Sequence, residues 1–271
     1  MMGSIRRYID FYLTQMRLAV IQQFQYPVAN YFYMIGMIAE PVIYLVVWST
    51  VAVQQGGSVG GYTPATFAAY YLVWILVRNM NIVLTPYAWE MFIQRGYLSM
   101  ELLRPIHPLH GQLAYFSGWK FVVIVLWIPL AIFLSLFFKP SLDPQPWQVL
   151  LFFFALWGGF LVRFMWLWLL GMITFWTTRV SAIFELYFTV ELLFSGRLVP
   201  LSLMPEWAQQ VSSYLPFKWA FGYPIEQVLG ILTLQESLAG LGMQLFWILL
   251  GLILVRLTWR AAMKKYSAVG A

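Results

Sequence analysis

Glu40, Arg78, Arg163, Glu185 and Glu191 each interrupt a long apolar run. A charged side chain at the centre of a bilayer costs about 2.5–3.5 kcal/mol on insertion scales, so each of them needs a partner or water. The set is close to charge balance. Arg163 lies one hairpin away from both Glu185 and Glu191, and either carboxylate can serve it. Three roles fit such residues: ion pairs that fix helix packing, the lining of a polar path, or proton transfer. A second ionic group lies between the apolar runs, where Glu90, Arg95, Glu101 and Arg104 are interspersed with Met91, Phe92, Ile93, Leu98, Leu102 and Leu103. A helix there has one apolar and one charged side, the pattern of a surface that lies against another protein. Gly96 interrupts it, and Pro105 with Pro108 ends it, so two short helices with a bend are expected. The alternative for 90–111 is a plain connector between two spans.

Other chemistry finds few candidates. His107 and His110 are the only histidines and only Glu101 lies near enough to join them, so no metal site is expected. Without cysteine there is no disulfide and no thiolate site. The only aspartates, Asp10 and Asp143, stand in polar surroundings, and no nucleophile has a base beside it, so a catalytic reading has nothing to build on.

The elements that must position these residues are set by composition. Hydrophobic residues make up 62% of the 271, charged residues 10% and aromatic residues 19%. That balance describes an all-α polytopic membrane protein forming a single transmembrane domain over residues 1–271. Residues 4–23 carry Arg6, Arg7, Asp10, Gln15 and Arg17 around a stripe of Ile5, Ile9, Leu13, Met16 and Val20, an amphipathic helix lying in the interface. This N-terminus lacks the compact apolar core of a cleaved signal and is expected to be retained. Six spans follow, at about 28–53, 66–87, 119–138, 147–176, 182–198 and 243–259. The stretch 199–240 contains Pro200, Pro205, Pro216 and Pro224 among aromatics. It is too polar to span and too apolar for a free loop, so short helices re-entering the outer leaflet before the last span are expected. The aromatic residues, Trp166, Trp168 and Phe152 to Phe154 among them, are expected to be mainly lipid-facing or interfacial.

Basic residues orient the chain. With the N-terminus inside, Arg6, Arg7, Arg17, Arg95, Arg104, Lys120, Arg179, Arg256, Arg260, Lys264 and Lys265 are cytoplasmic, against Lys139, Arg197 and Lys218 outside. Both termini are then cytoplasmic, and so is 90–111. The net charge of +6 is explained by this bias, and no nucleic-acid stripe is present.

Two motifs carry a family resemblance over nearly the whole chain. IQRGYLSMELLRPIHPL at 93–109 resembles a cytoplasmic signature of glycine, acidic-apolar helix and Leu-Leu-Arg-Pro. FSGRLVPLSLMPEWAQQVSSYLPFKWAFGYPIEQVLG at 194–230 resembles the external segment before the last helix. Both belong to permease subunits of type-2 ABC (ABC-2) exporters, in a bacterial six-span subgroup. The resemblance implies a half-transporter of the bacterial plasma (inner) membrane. It would pair with itself or a similar chain and be driven by two copies of a separate ABC ATPase. Glu90, Arg95, Glu101, Leu102, Leu103 and Arg104 would be the coupling surface. The sequence has no GxxxxGK[ST] phosphate loop, so no cofactor is expected in this chain, and ATP and Mg belong to the partner. Lipid, lipid-linked glycan, peptide and hydrophobic drug stay open as substrates. The alternative class is an ion-coupled secondary transporter, which inverted repeats would favour; none is evident.

Overall fold

The computed structural model describes residues 2–25, 27–83, 86–177 and 180–266. The chain is helical throughout, with no strand among the described residues. The helix expected at the interface is α1 (Met2–Phe24), and α2 (Pro27–Gln54) runs through Pro41 without ending. Next come α3 (Pro64–Met80), the short α4 (Pro86–Gln94) and α5 (Tyr97–Leu102), and the long α6 (Pro108–Phe138) and α7 (Pro146–Gly171). The remainder is α8 (Ser181–Phe194), then α9 (Glu206–Ser213), α10 (Pro216–Ala220) and α11 (Gly222–Val228), and finally α12 (Leu234–Met263).

Three segments, Pro108–Phe138, Pro146–Phe175 and Leu234–Met263, are long and apolar enough to cross a membrane. The chain is thus a multi-pass membrane protein, and of the six expected spans three are shown among the described residues. The 17 residues of α3 and the 14 of α8 reach only about 25 and 21 Å at 1.5 Å per residue, short of a hydrocarbon core about 30 Å thick. Boundaries move as well. The second apolar run stops at Met80 rather than at 87, and α6 starts at Pro108 rather than at 119. The last helix starts at Leu234 rather than at 243. Both early starts have local causes. His107 caps α6, its ring nitrogen accepting the Leu109 N–H, with Pro108 at the first helical position where its missing donor costs nothing. Thr233 and Glu236 close a reciprocal capping box on α12.

Packing explains which helix is central. α3 is buried almost all round, from Phe67 to Met80, as expected of a helix apolar on every face. It sits among α2, α6, α7 and α11. Between α8 and α12, α10 and α11 are packed inside the bundle, with Phe217, Ala220, Phe221, Tyr223, Ile225 and Val228 all buried, while Trp207 on α9 and Tyr214 just after it are exposed. Gly159, midway along α7, leaves room for the Ala220 carbonyl, and Gly240 on α12 leaves room for the Tyr223 ring. Gln244 donates from α12 to the Ala155 and Trp219 carbonyls, each at 2.8 Å. The backbone of an irregular segment is thereby satisfied by protein.

α1 lies along the first half of α6 with Ile5, Ile9 and Leu13 uncovered, a stripe at four-residue spacing suited to the membrane interface. Its backbone meets α6 at Gly118, where an added Cβ would stand 2.7 Å from the Met16 Cα. Tyr12 and His110 Nδ1 share a hydrogen bond of 2.8 Å nearby. Gly118→Leu should therefore loosen α1 without preventing insertion, read as faster protease cleavage and amide exchange in α1. Gly242→Ala on open α12 surface should change neither.

Candidate functional site

The site begins where α3 ends. The last carbonyls of a helix lack intrahelical donors, and α3 ends inside the bundle, where water is scarce. Two cations close it. Lys120, fully buried on α6, donates to the Ile82 carbonyl and to Asn79 O at 3.4 Å. Arg163, on α7, donates Nη1–H to the Asn81 carbonyl. Both complement the negative end of the helix dipole. Rings complete the seat of Lys120, whose Nζ lies 4.7 Å from the Trp119 centroid and 5.2 Å from that of Phe160. Asn81 locks the turn, its Nδ2 donating to Val77 O at 2.9 Å and to Ala220 O at 2.8 Å.

Buried cations need carboxylates. Arg163 makes a two-pronged bond to Glu191 of α8, Nε to Oε1 at 2.8 Å and Nη2 to Oε2 at 3.0 Å. Arg197 approaches the same Glu191 at 3.3 Å and Glu40 at 3.7 Å. Glu40 in turn pairs with Arg78 at 2.8 Å. The loop bearing Arg197 is pinned from α2 and α3. Tyr70 donates to Gly196 O at 2.6 Å, and Tyr71 and Trp48 both donate to Leu198 O. Gly196 is left-handed at φ 85°, and the Tyr70 hydroxyl lies where a side chain would go. The three arginines open onto a pocket of about 590 Å³ completed by Phe32, Gly36, Ile82, Phe188 and Phe221.

Of the intramembrane candidates, the structure brings Glu40, Arg78, Arg163 and Glu191 together and leaves Glu185 apart. Glu185 is exposed on the far face of α8 with no ion pair among the described residues, so the choice for Arg163 falls on Glu191. Two charges assigned to the membrane surfaces, Lys120 and Arg197, are inside. Lys120 was readable, since a helix started by His107-Pro108 carries it three turns inward. Arg197 follows an apolar helix and had no such marker. Arg179 lies outside the described residues.

The second ionic group splits as its glycine suggests. Gly96, at φ 72°, separates α4 from α5. α4 is anchored: Trp89 is buried against Trp168 with ring centroids 4.9 Å apart, in the space left by Gly171. The Glu90 carboxylate accepts the Val180 N–H at 3.1 Å at the start of α8. α5 is the opposite. Only Leu98 turns inward, while Tyr97, Met100, Leu102 and Leu103 are exposed, Leu103 at 87%. Arg95 is exposed, and Arg104 pairs with Glu101 at 2.8 Å on the rim. A cleft of about 230 Å³ runs between α4 and the end of α7, lined by Glu90, Ile93, Gln94 and Thr174 to Thr177. Burial, with His110 one turn on, holds the neighbouring His107 imidazole below its ordinary range, so it is neutral and able to cap α6.

The family model described as ABC-2 family transporter protein matches residues 38–270. The chain belongs to the ABC-2 transporter family. The match takes in α3 to α12 and every residue of both ionic groups. Membership makes the chain a membrane-embedded permease of an ABC transporter, a transport component whose family works with an ABC ATPase. No curated protein matches the chain.

The charge cluster predicts an order of stabilities. Glu191→Gln leaves three arginines facing Glu40 alone and should cost about 3–5 kcal/mol. Arg163→Gln leaves two arginines facing two glutamates and should cost less, chiefly through the uncapped Asn81 carbonyl. Thermal unfolding of the purified variants in detergent checks the order, and Glu185→Gln should unfold with the parent protein.

Proposed function

We propose that this ABC-2 permease is half of an ATP-driven exporter of the bacterial inner membrane. It forms the translocation path as a dimer with itself or a similar chain, with both termini and the α4–α5 element in the cytoplasm. Two copies of a separate ATPase drive it and hold the ATP and Mg. The path takes an amphiphile of the lipid, glycan-lipid or drug type. The orientation rests on the basic residues: Arg95, Arg104, Arg256, Arg260, Lys264 and Lys265 gather at the end of the bundle that carries α5.

One observation supports the coupling role most strongly. The exposed apolar edge of α5 is joined through a rigidly seated α4 to the end of α7, the start of α8 and, along the chain, the end of α3. Those helices carry Arg78, Arg163 and Glu191. A push on α5 is thus delivered to the walls of the charged pocket. Apolar anchors ringed by charges are also what a docking pocket on a partner selects.

Leu102→Ser, Leu103→Ser and Arg104→Glu, made separately, should leave insertion unchanged because all three side chains are exposed. Co-purification of the ATPase and ATP-dependent transport should both fall, by roughly tenfold for Leu103→Ser if it is an interface anchor. Variants that bind the ATPase and transport like the parent would return the segment to a plain connector. Nucleotide hydrolysis by the chain alone would overturn the division of labour.

A further inference from the structure

The charged pocket carries more positive than negative charge, and the surplus is built in. Arg78, Arg163 and Arg197 face Glu40 and Glu191, which leaves one positive charge over. Among the described residues no other carboxylate forms an ion pair with these arginines. Lys120 faces the carbonyls at the end of α3 and does not line the pocket, so the surplus at the pocket falls on one arginine. Arg78–Glu40 and Arg163–Glu191 are complete close pairs at 2.8 Å. Arg197 reaches the same two carboxylates only at 3.3 and 3.7 Å, and its Nε–H is buried with no acceptor among the described residues. A guanidinium held out of water without a full complement of acceptors is costly and is retained where an acceptor arrives from outside.

The geometry points to a binding site for the anionic head group, a phosphate or carboxylate, of an amphiphilic substrate. Planar guanidinium forks from three directions match oxyanion geometry better than ammonium groups would. Among the described residues the rest of the wall is apolar, Phe32, Ile82, Phe188 and Phe221, with no described atom where a Gly36 side chain would stand on the α2 side. A volume of about 590 Å³ holds a head group and the first part of a chain but not a whole lipid, so the tail would leave on the α2 side. Rings behind the guanidiniums, Phe188 and Phe221 for Arg163 and Trp74 and Phe221 for Arg197, hold the forks in place before the ligand binds. This reading names the substrate class for the path proposed above and rests on it.

The test uses the full chain in nanodiscs without any ATPase, so its outcome is independent of the coupling assignment. Binding is measured for a fluorescent phosphatidic acid, a phosphatidylcholine with the same tail, and inorganic phosphate. The parent should bind the anionic lipid at least roughly tenfold more tightly than either of the others. Arg197→Gln should abolish the preference while leaving both close pairs intact, and Glu40→Gln, which adds one net positive charge, should strengthen it. Opposite shifts in two folded variants cannot come from misfolding. Equal binding of the two lipids, shifts of the same sign, or inorganic phosphate as strong as the anionic lipid would each overturn the proposal.

Discussion

A helix that stops inside a membrane protein leaves carbonyls that nothing in hydrocarbon can satisfy, and the organisation of this chain follows from how α3 meets that constraint. Its final carbonyls are taken by Lys120 from α6 and by Arg163 from α7. Arg163 is neutralised in turn by Glu191 of α8, and beside it Glu40 of α2 pairs with Arg78. Asn81 ties the same turn to the buried carbonyl of Ala220. One broken helix thus links α2, α6, α7, α8 and α10, and the polar layer that results is the wall of the pocket.

The same break connects the two ionic groups. Chain leaving α3 enters α4, whose Trp89 and Glu90 fix it to α7 and α8, while α5 beyond Gly96 stays outside. An ABC-2 permease needs a rigid link between the surface met by an ATPase and the path. We propose α4 as that link, seated by Trp89 against Trp168 and by Glu90 at the start of α8. In the proposed account the charges serve packing and passage together: paired arginines hold the helices, and the less well-paired Arg197 faces what passes.

The sequence made the class of protein legible because composition decides it, and the two ionic groups because charges stand out against apolar runs. Gly96 announced its bend, and the proline-spaced segment announced backbone that must be sheltered. Depth was harder. Lys120 reads as a surface charge unless His107-Pro108 is taken as a helix start, and the last helix reads nine residues short unless Thr233 and Glu236 are taken as its cap. The pairing of Arg163 with Glu191 rather than Glu185 depends on which face α8 turns inward. Arg197 depends on a loop pinned by tyrosines more than a hundred residues away. Such relations are fixed by tertiary contact and leave no local pattern.

The central claim is that α5 and the charged pocket move as one unit, and the absence of cysteine makes it directly measurable. Gly36→Cys places a lone thiol in open space at the pocket wall, and Gly242→Cys places one on open surface of α12. In proteoliposomes with the ATPase, the labelling rate of the first should change when a non-hydrolysable ATP analogue is added. That of the second should not, and Arg104→Glu should remove the response of the first. A pocket thiol whose labelling is the same with and without nucleotide would contradict the account.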